Sequence, residues 1–167
     1  IVIEENKITQ VQVVGYPGVA IDPARRPKLE GNGMEIDAEG MYVLPGFVDM
    51  HGHIGGKSQG TPADYVFKLW MAHGITTVRD PSAGNGLDWV LRHKNRSSDN
   101  DIVAPRILAY TAFGQDLTDV KVVRSLPKGT SNSTEVLKGP ITTAEEAISW
   151  VRANYARGAD GIKFFGA

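Results

Sequence analysis

The sequence has no cysteine. Disulfides and thiolate metal sites are therefore excluded, and any bound metal ion must take its ligands from histidine, carboxylate or something less usual. Aromatic residues are sparse at 8%, and there are only four histidines. No apolar run reaches the ~18 residues of a membrane-spanning helix. Neither charge dominates: 18 Lys and Arg stand against 19 Asp and Glu, a formal net charge of −1. That balance gives no ground for expecting nucleic acid or an anionic membrane as partner. Internal repeats, coiled-coil heptads and low-complexity segments are also missing. What is there is 167 residues, 41% hydrophobic and 22% charged, enough for one ordinary globular domain with a real core.

The chain opens on Ile1, not on an initiator methionine, and stops on Ile162-Lys163-Phe164-Phe165-Gly166-Ala167 as a strand ends. Both ends are expected to be cuts in a longer protein. Missing disulfides fix no compartment: the location is cytoplasmic or, if a leader has been removed, periplasmic or secreted.

The first 46 residues read as β structure. Ile1 to Glu4 and Ile8 to Val14 form a hairpin around Glu5-Asn6-Lys7, and Gly15 to Gly33 is a proline- and glycine-rich loop. A second hairpin is expected from Met34–Asp37 and Met41–Leu44 around Ala38-Glu39-Gly40. Pro45-Gly46 marks a domain boundary, giving units 1–46 and 47–167. From there strands alternate with helices. Strands are predicted at Phe47–His51, Ile75–Val78, Arg106–Thr111 and Gly161–Phe165. A first helix starts with Thr61 as N-cap and has Val66, Phe67, Trp70 and Met71 as its stripe. A second runs from Leu87 to about Arg96. A third starts at a capping box, Thr142-Thr143-Ala144-Glu145, with Ala144, Ala147, Ile148, Val151 and Tyr155 on one face. The order βαβαβαβ implies parallel strands with right-handed crossovers. The long connection from Ala112 to Pro140 has the length of a functional or mobile loop.

The chemistry centres on Leu44-Pro45-Gly46-Phe47-Val48-Asp49-Met50-His51-Gly52-His53. In an extended strand residues i and i+2 face the same way, so Asp49, His51 and His53 share a side. Two imidazoles ~6–7 Å apart along the backbone can lean onto one ion at ~2.0–2.1 Å from each nitrogen. In parallel α/β folds, sites form at the carboxyl ends of strands, which is where this pair falls. A pair of hydrogen-bonded histidines at a barrel rim is the plainer alternative. Asp49 either orients an imidazole or serves as a buried structural acid. Lys163 lies in a hydrophobic strand, where an ammonium needs a reason. A partner carboxylate, a depressed pKa, a carbamate bridging two cations ~3.5–4 Å apart, or simple snorkelling would each supply one. His73 suits a helix C-terminus and His93 a polar helix face, so neither is expected to bind metal. Arg79-Asp80 reads as a salt-bridged rim pair, with a substrate contact as the alternative. Gly84-Asn85-Gly86 is too short for a phosphate loop.

Val43 to His53 resembles the opening motif of the amidohydrolase superfamily of metal-dependent hydrolases. Gly74-Ile75-Thr76-Thr77-Val78-Arg79-Asp80 resembles that family's second barrel strand. Gly158-Ala159-Asp160-Gly161-Ile162-Lys163 resembles the fourth-strand motif of its prolidase-like and imidazolonepropionase-like branch. The resemblance covers nearly the whole chain. It implies an α/β fold: the first half of a (β/α)8 TIM barrel, preceded by N-terminal strands of a small β-sandwich domain. It also implies that His51 and His53 ligate a metal ion and that carboxylated Lys163 bridges two Zn2+ ions.

The implied activity is hydrolysis of an amide-type C–N bond, in a small peptide or cyclic amide, by a metal-activated water. The other family ligands and the catalytic aspartate, a general base, would fall after Ala167, so this segment holds no catalytic residue of its own and is expected to be inactive alone. Its expected partners are the substrate and the remainder of the barrel, in the same chain or an associated segment; a homo-oligomer is compatible with this. The alternative reading is a non-catalytic amidohydrolase-like protein with a binding or assembly role. Retention of His51, His53 and Lys163 speaks against it.

Overall fold

A computed structural model describes residues 1–5, 7–114, 121–123, 134–136 and 141–165, the two short pieces 121–123 and 134–136 by their backbone. The chain divides into two compact units, Ile1–Leu44 and Pro45–Ala167.

In the first unit, β1 (Val2–Glu4) pairs antiparallel with β2 (Lys7–Gln10), with Ile3 opposite Ile8. This sheet is of the β-sandwich type. The second strand stops at Gln10, short of the Val14 expected from its sequence. The turn of the second hairpin forms: Met41 N–H donates to Ala38 O at 3.0 Å and Asp37 Oδ1 accepts from Glu39 N–H at 3.0 Å. Its arms do not become strands. Met34, Ile36 and Tyr42 stay largely exposed, so no buried face rewards their pairing, and an isolated two-stranded ribbon is marginal in water.

The second unit runs β3 (Phe47–Asp49), α1 (Ala63–Ala72), β4 (Ile75–Asp80), α2 (Leu87–Ser98), β5 (Arg106–Ala112), β6 (Lys121–Val123), β7 (Thr134–Val136), α3 (Ala144–Arg157) and β8 (Gly161–Lys163). Four strands form a parallel sheet in the order β3-β4-β5-β8. The sheet is curled and matches the first half of a TIM barrel, as the alternating pattern predicts. The short ribbon β6–β7 falls in the 112–140 connection, whose remaining stretches 115–120, 124–133 and 137–140 lie outside the described residues.

The main core lies between the sheet and helices α1 and α2. Phe67 of α1, Val78 of β4, Val90 of α2 and Ile107 of β5 are fully buried in one cluster with Ile54 and Leu87. Burying a side chain of this size stabilises by about 1.5–3 kcal/mol. A smaller cluster gathers Phe113, Ile141, Ala153 and Ile162 around Trp150 of α3.

Asp160 ties these layers together. Its Oδ2 accepts from Ala109 N–H at 2.7 Å, its backbone N–H donates to Ala109 O at 2.8 Å, and Lys94 Nζ reaches both carboxylate oxygens at 2.7 Å.

Three local expectations change. Helix α1 is entered at Pro62, with no side-chain cap, while Thr61 Oγ1 donates to Gln59 O at 3.4 Å. Pro62 fixes φ near −58° and carries no N–H, so the chain enters the helix there without a hydroxyl cap. The capping box of α3 is Thr143 with Glu146, one residue later than the Thr142–Glu145 spacing suggests. Glu146 accepts from Thr142 N–H, Thr142 Oγ1 and Thr143 N–H, three donors that Glu145 does not gather. The row Glu146, Trp150 and Asn154 faces the sheet, while Ile148 and Tyr155 are exposed. Burying the indole of Trp150 outweighs burying the smaller side chains of the opposite stripe.

Candidate functional site

Strand β3 ends at Asp49, so His51 and His53 sit in the loop just past the carboxyl end of the strand. Gly52 N–H donates to Arg79 O at 3.1 Å and holds this loop against the end of β4. Gly52 is packed too closely for any side chain. A Cβ there would lie 2.5 Å from Val78 Cγ2 and 2.7 Å from the Trp70 ring. The glycine between the histidines is a requirement of space rather than of backbone freedom.

The two rings meet edge to face, centroids 5.5 Å apart. Two imidazoles bound to one tetrahedral ion, with nitrogens ~2.0–2.1 Å from the metal, have centroids about 5 Å apart. The centroid spacing is close to that of two donors to a single divalent ion. Among the described residues, no group of three or more His, Cys, Asp or Glu comes together to complete a shell.

Asp49 Oδ1 accepts from the backbone N–H of His51 at 2.9 Å, which shapes the turn rather than an imidazole. The carboxylate that faces a ring is Asp80, with Oδ1 3.6 Å from His53 Nδ1. Asp80 is 2% exposed and also accepts from Ser82 and Ala83 N–H at 3.3 Å each. Burial pushes its carboxyl above the ordinary carboxylate range; the Ser82 N–H, the charge of His53 and the Ala83 N–H oppose this and offset part of it.

No Arg79–Asp80 rim pair forms. Neighbours on a strand point to opposite faces, and the Arg79 guanidinium lies over the Tyr110 ring at 5.2 Å. Arg79-Asp80 closing a β-branched strand marks Asp80 in the sequence, but the side chain it faces is His53 and not the adjacent arginine.

Lys163 ends β8 opposite Ala112, half-buried, with Nζ 5.6 Å from the centroid of Phe165. Sheet order separates it from β3 by two strands, at the same carboxyl end. His73 and His93 are engaged locally: their Nδ1 atoms contact Leu69 O at 2.7 Å and Trp89 O at 2.9 Å, and the His93 ring packs tilted against Trp89, centroids 4.1 Å apart.

No family model matches the chain. An adenine deaminase 2 of Desulfotalea psychrophila is 33% identical over 87 residues, 47% of this chain and 15% of its own length. One of Rhizobium etli is 40% identical over 82 residues, 46% of this chain and 13% of its own. An adenine deaminase of Methanoculleus marisnigri is 37% identical over 87 residues, 47% and 16% of the two chains. The chain thus spans 13–16% of the length of these relatives. A crystal structure of an amidohydrolase superposes with a TM-score of 0.53 at 22% identity, covering 83% of this chain and 38% of that one, a likeness of fold. The sequence similarity to adenine deaminases covers under half of this chain, and the structural likeness is one of fold.

Proposed function

We propose that the protein to which this segment belongs is a metal-dependent hydrolase that cleaves a C–N bond. The observation that carries the reading is the pair His51 and His53, edge to face at 5.5 Å past the end of β3. In this reading His51 and His53 would hold a divalent ion, most simply zinc, and Lys163, as a carbamate, would serve as the further ligand shared with a second ion. Such an ion lowers the pKa of water to ~7 and polarises a carbonyl or its nitrogen analogue.

This chain's part is to position. The Gly52–Arg79 bond and the contact of Gly52 with Val78 and Trp70 fix the loop that presents the histidines. The base that accepts the proton from water lies outside the described residues. The fold likeness, 38% of a longer chain, supports a site completed by further strands of the barrel. A small peptide or cyclic amide is one substrate class. The names of the relatives add a second, an amino group on a purine ring, and both are hydrolysed at a C–N bond.

The test is an assay of the protein carrying the whole barrel. A cyclic amide, a dipeptide and adenine are offered, with release of ammonia or amine measured. Activity on one of them is expected, lost on chelation and restored by Zn2+. Activity that persists in the His51→Ala, His53→Ala double variant would exclude the reading, as would no hydrolysis of any of the three with metal bound.

A further inference from the structure

Resting on that reading, we infer that Asp80 is the positioning residue for His53: it fixes the ring with Nδ1 protonated and turns Nε2 to the metal. Histidine ligands commonly donate their other ring N–H to a carboxylate, which sets the tautomer and raises the basicity of the ligating nitrogen. Asp80 is placed to do this from a different strand. Its Oδ1 is 3.6 Å from His53 Nδ1, ion-pair range, and a shift of about half an ångström brings it to hydrogen-bond length.

The carboxylate is not free to wander. It is 2% exposed and held by the Ser82 and Ala83 N–H groups in the turn that follows β4. That turn is clamped to the histidine loop a second time, because Asn85 Nδ2 donates to Gly55 O at 2.5 Å. Gly55 and Gly56, at φ of 79° and 85°, let the backbone after His53 come that close. Gly56 N–H in turn donates to Thr61 O at 2.6 Å, joining the loop to the entry of α1. The loop bearing His53 and the turn bearing Asp80 are thus held as one piece, with the acid on the Nδ1 side of the ring.

The structure also separates the two acids near the site. Asp49 spends Oδ1 on the His51 backbone, whereas Asp80 faces a ring nitrogen. Removal of Asp80 should act on how His53 binds, and Asp80→Ala also strands the Ser82 and Ala83 N–H groups, which Asp80→Asn does not.

The experiment is 15N NMR of the imidazoles in the full chain, metal-free and then titrated with Zn2+ alone, for wild type, Asp80→Asn and Asp80→Ala. Asp80→Asn keeps the shape and an oxygen for the two N–H groups and so protects the fold. Zinc-bound wild type should show the His53 proton on Nδ1. Asp80→Ala should shift it toward a mixture of tautomers and weaken Zn2+ binding 10–100-fold, whereas Asp80→Asn, whose Oδ1 still faces Nδ1, should keep the tautomer and weaken binding less. Asp160→Asn, altering a structural carboxylate elsewhere, should leave both readouts unchanged. A wild-type His53 protonated on Nε2, or an Asp80→Ala variant with unaltered tautomer and Zn2+ affinity, would overturn the assignment of Asp80. Failure of wild type to bind Zn2+ through His51 and His53 would instead overturn the metal reading beneath it.

Discussion

Gly52 lies so close to Val78 that a Cβ on the glycine would stand 2.5 Å from Val78 Cγ2. The contact joins the residue between the two histidines to the buried core of β4, so site geometry and core packing are linked at one point. Gly52→Ala should therefore lower stability by about 1–3 kcal/mol, the usual cost of overpacking. It should also displace the histidines and weaken Zn2+ binding. Denaturant unfolding and Zn2+ titration check this. Adding Val78→Ala should not restore full stability, because the Trp70 ring also stands 2.7 Å away.

A second prediction concerns the node at Asp160. The backbone N–H of Ala109, a residue with no exposure, has its acceptor in Asp160 Oδ2. Asp160→Ala strands that N–H and should cost about 1–3 kcal/mol. Lys94→Ala removes a partly exposed ion pair, with side chains 24% and 29% accessible, and a 3.3 Å bond to Gly158 O, and should cost about 0–1 kcal/mol. Urea midpoints of the two variants, compared at constant m, distinguish them.

The capping box gives a third. Thr143→Ala should destabilise by about 1 kcal/mol, because its hydroxyl accepts from Glu146 N–H. Glu145→Ala should be near neutral. Equal losses at Glu145 and Glu146 would return the box to the earlier register.

Much of the fold was legible because its signals are local. β-branched Ile75-Thr76-Thr77-Val78, apolar Arg106–Thr111 and the periodic helices fix type and order, and parallel pairing follows from alternation. The site was half legible. His51 and His53 are separated by one residue, so their meeting needs little tertiary information. The approach of Asp80 to His53 depends on how two strand ends are staggered, which no local pattern encodes. The inward face of α3 was misread for a similar reason: Ala147, Ile148 and Val151 form a good stripe, but the sheet offers its space to Trp150. That stripe, with Phe113, Arg152 and Phe164, instead lines an open groove of about 340 Å³.

Lys163 supplies a fourth prediction. In the protein carrying the whole barrel, Lys163→Ala should lower the metal content and abolish hydrolysis, with partial rescue by short-chain carboxylic acids that mimic a carbamate. Wild-type metal content and rate in the variant would remove Lys163 from the site. It would then be the half-buried cation over Phe165 that its surroundings also accommodate.

The most direct test of the central claim is elemental analysis of the protein purified without chelator, beside its His51→Ala, His53→Ala double variant. The account predicts at least one zinc-class ion per chain in the wild type, absent or strongly reduced in the variant. A wild type without bound metal, or equal metal in both, would contradict it.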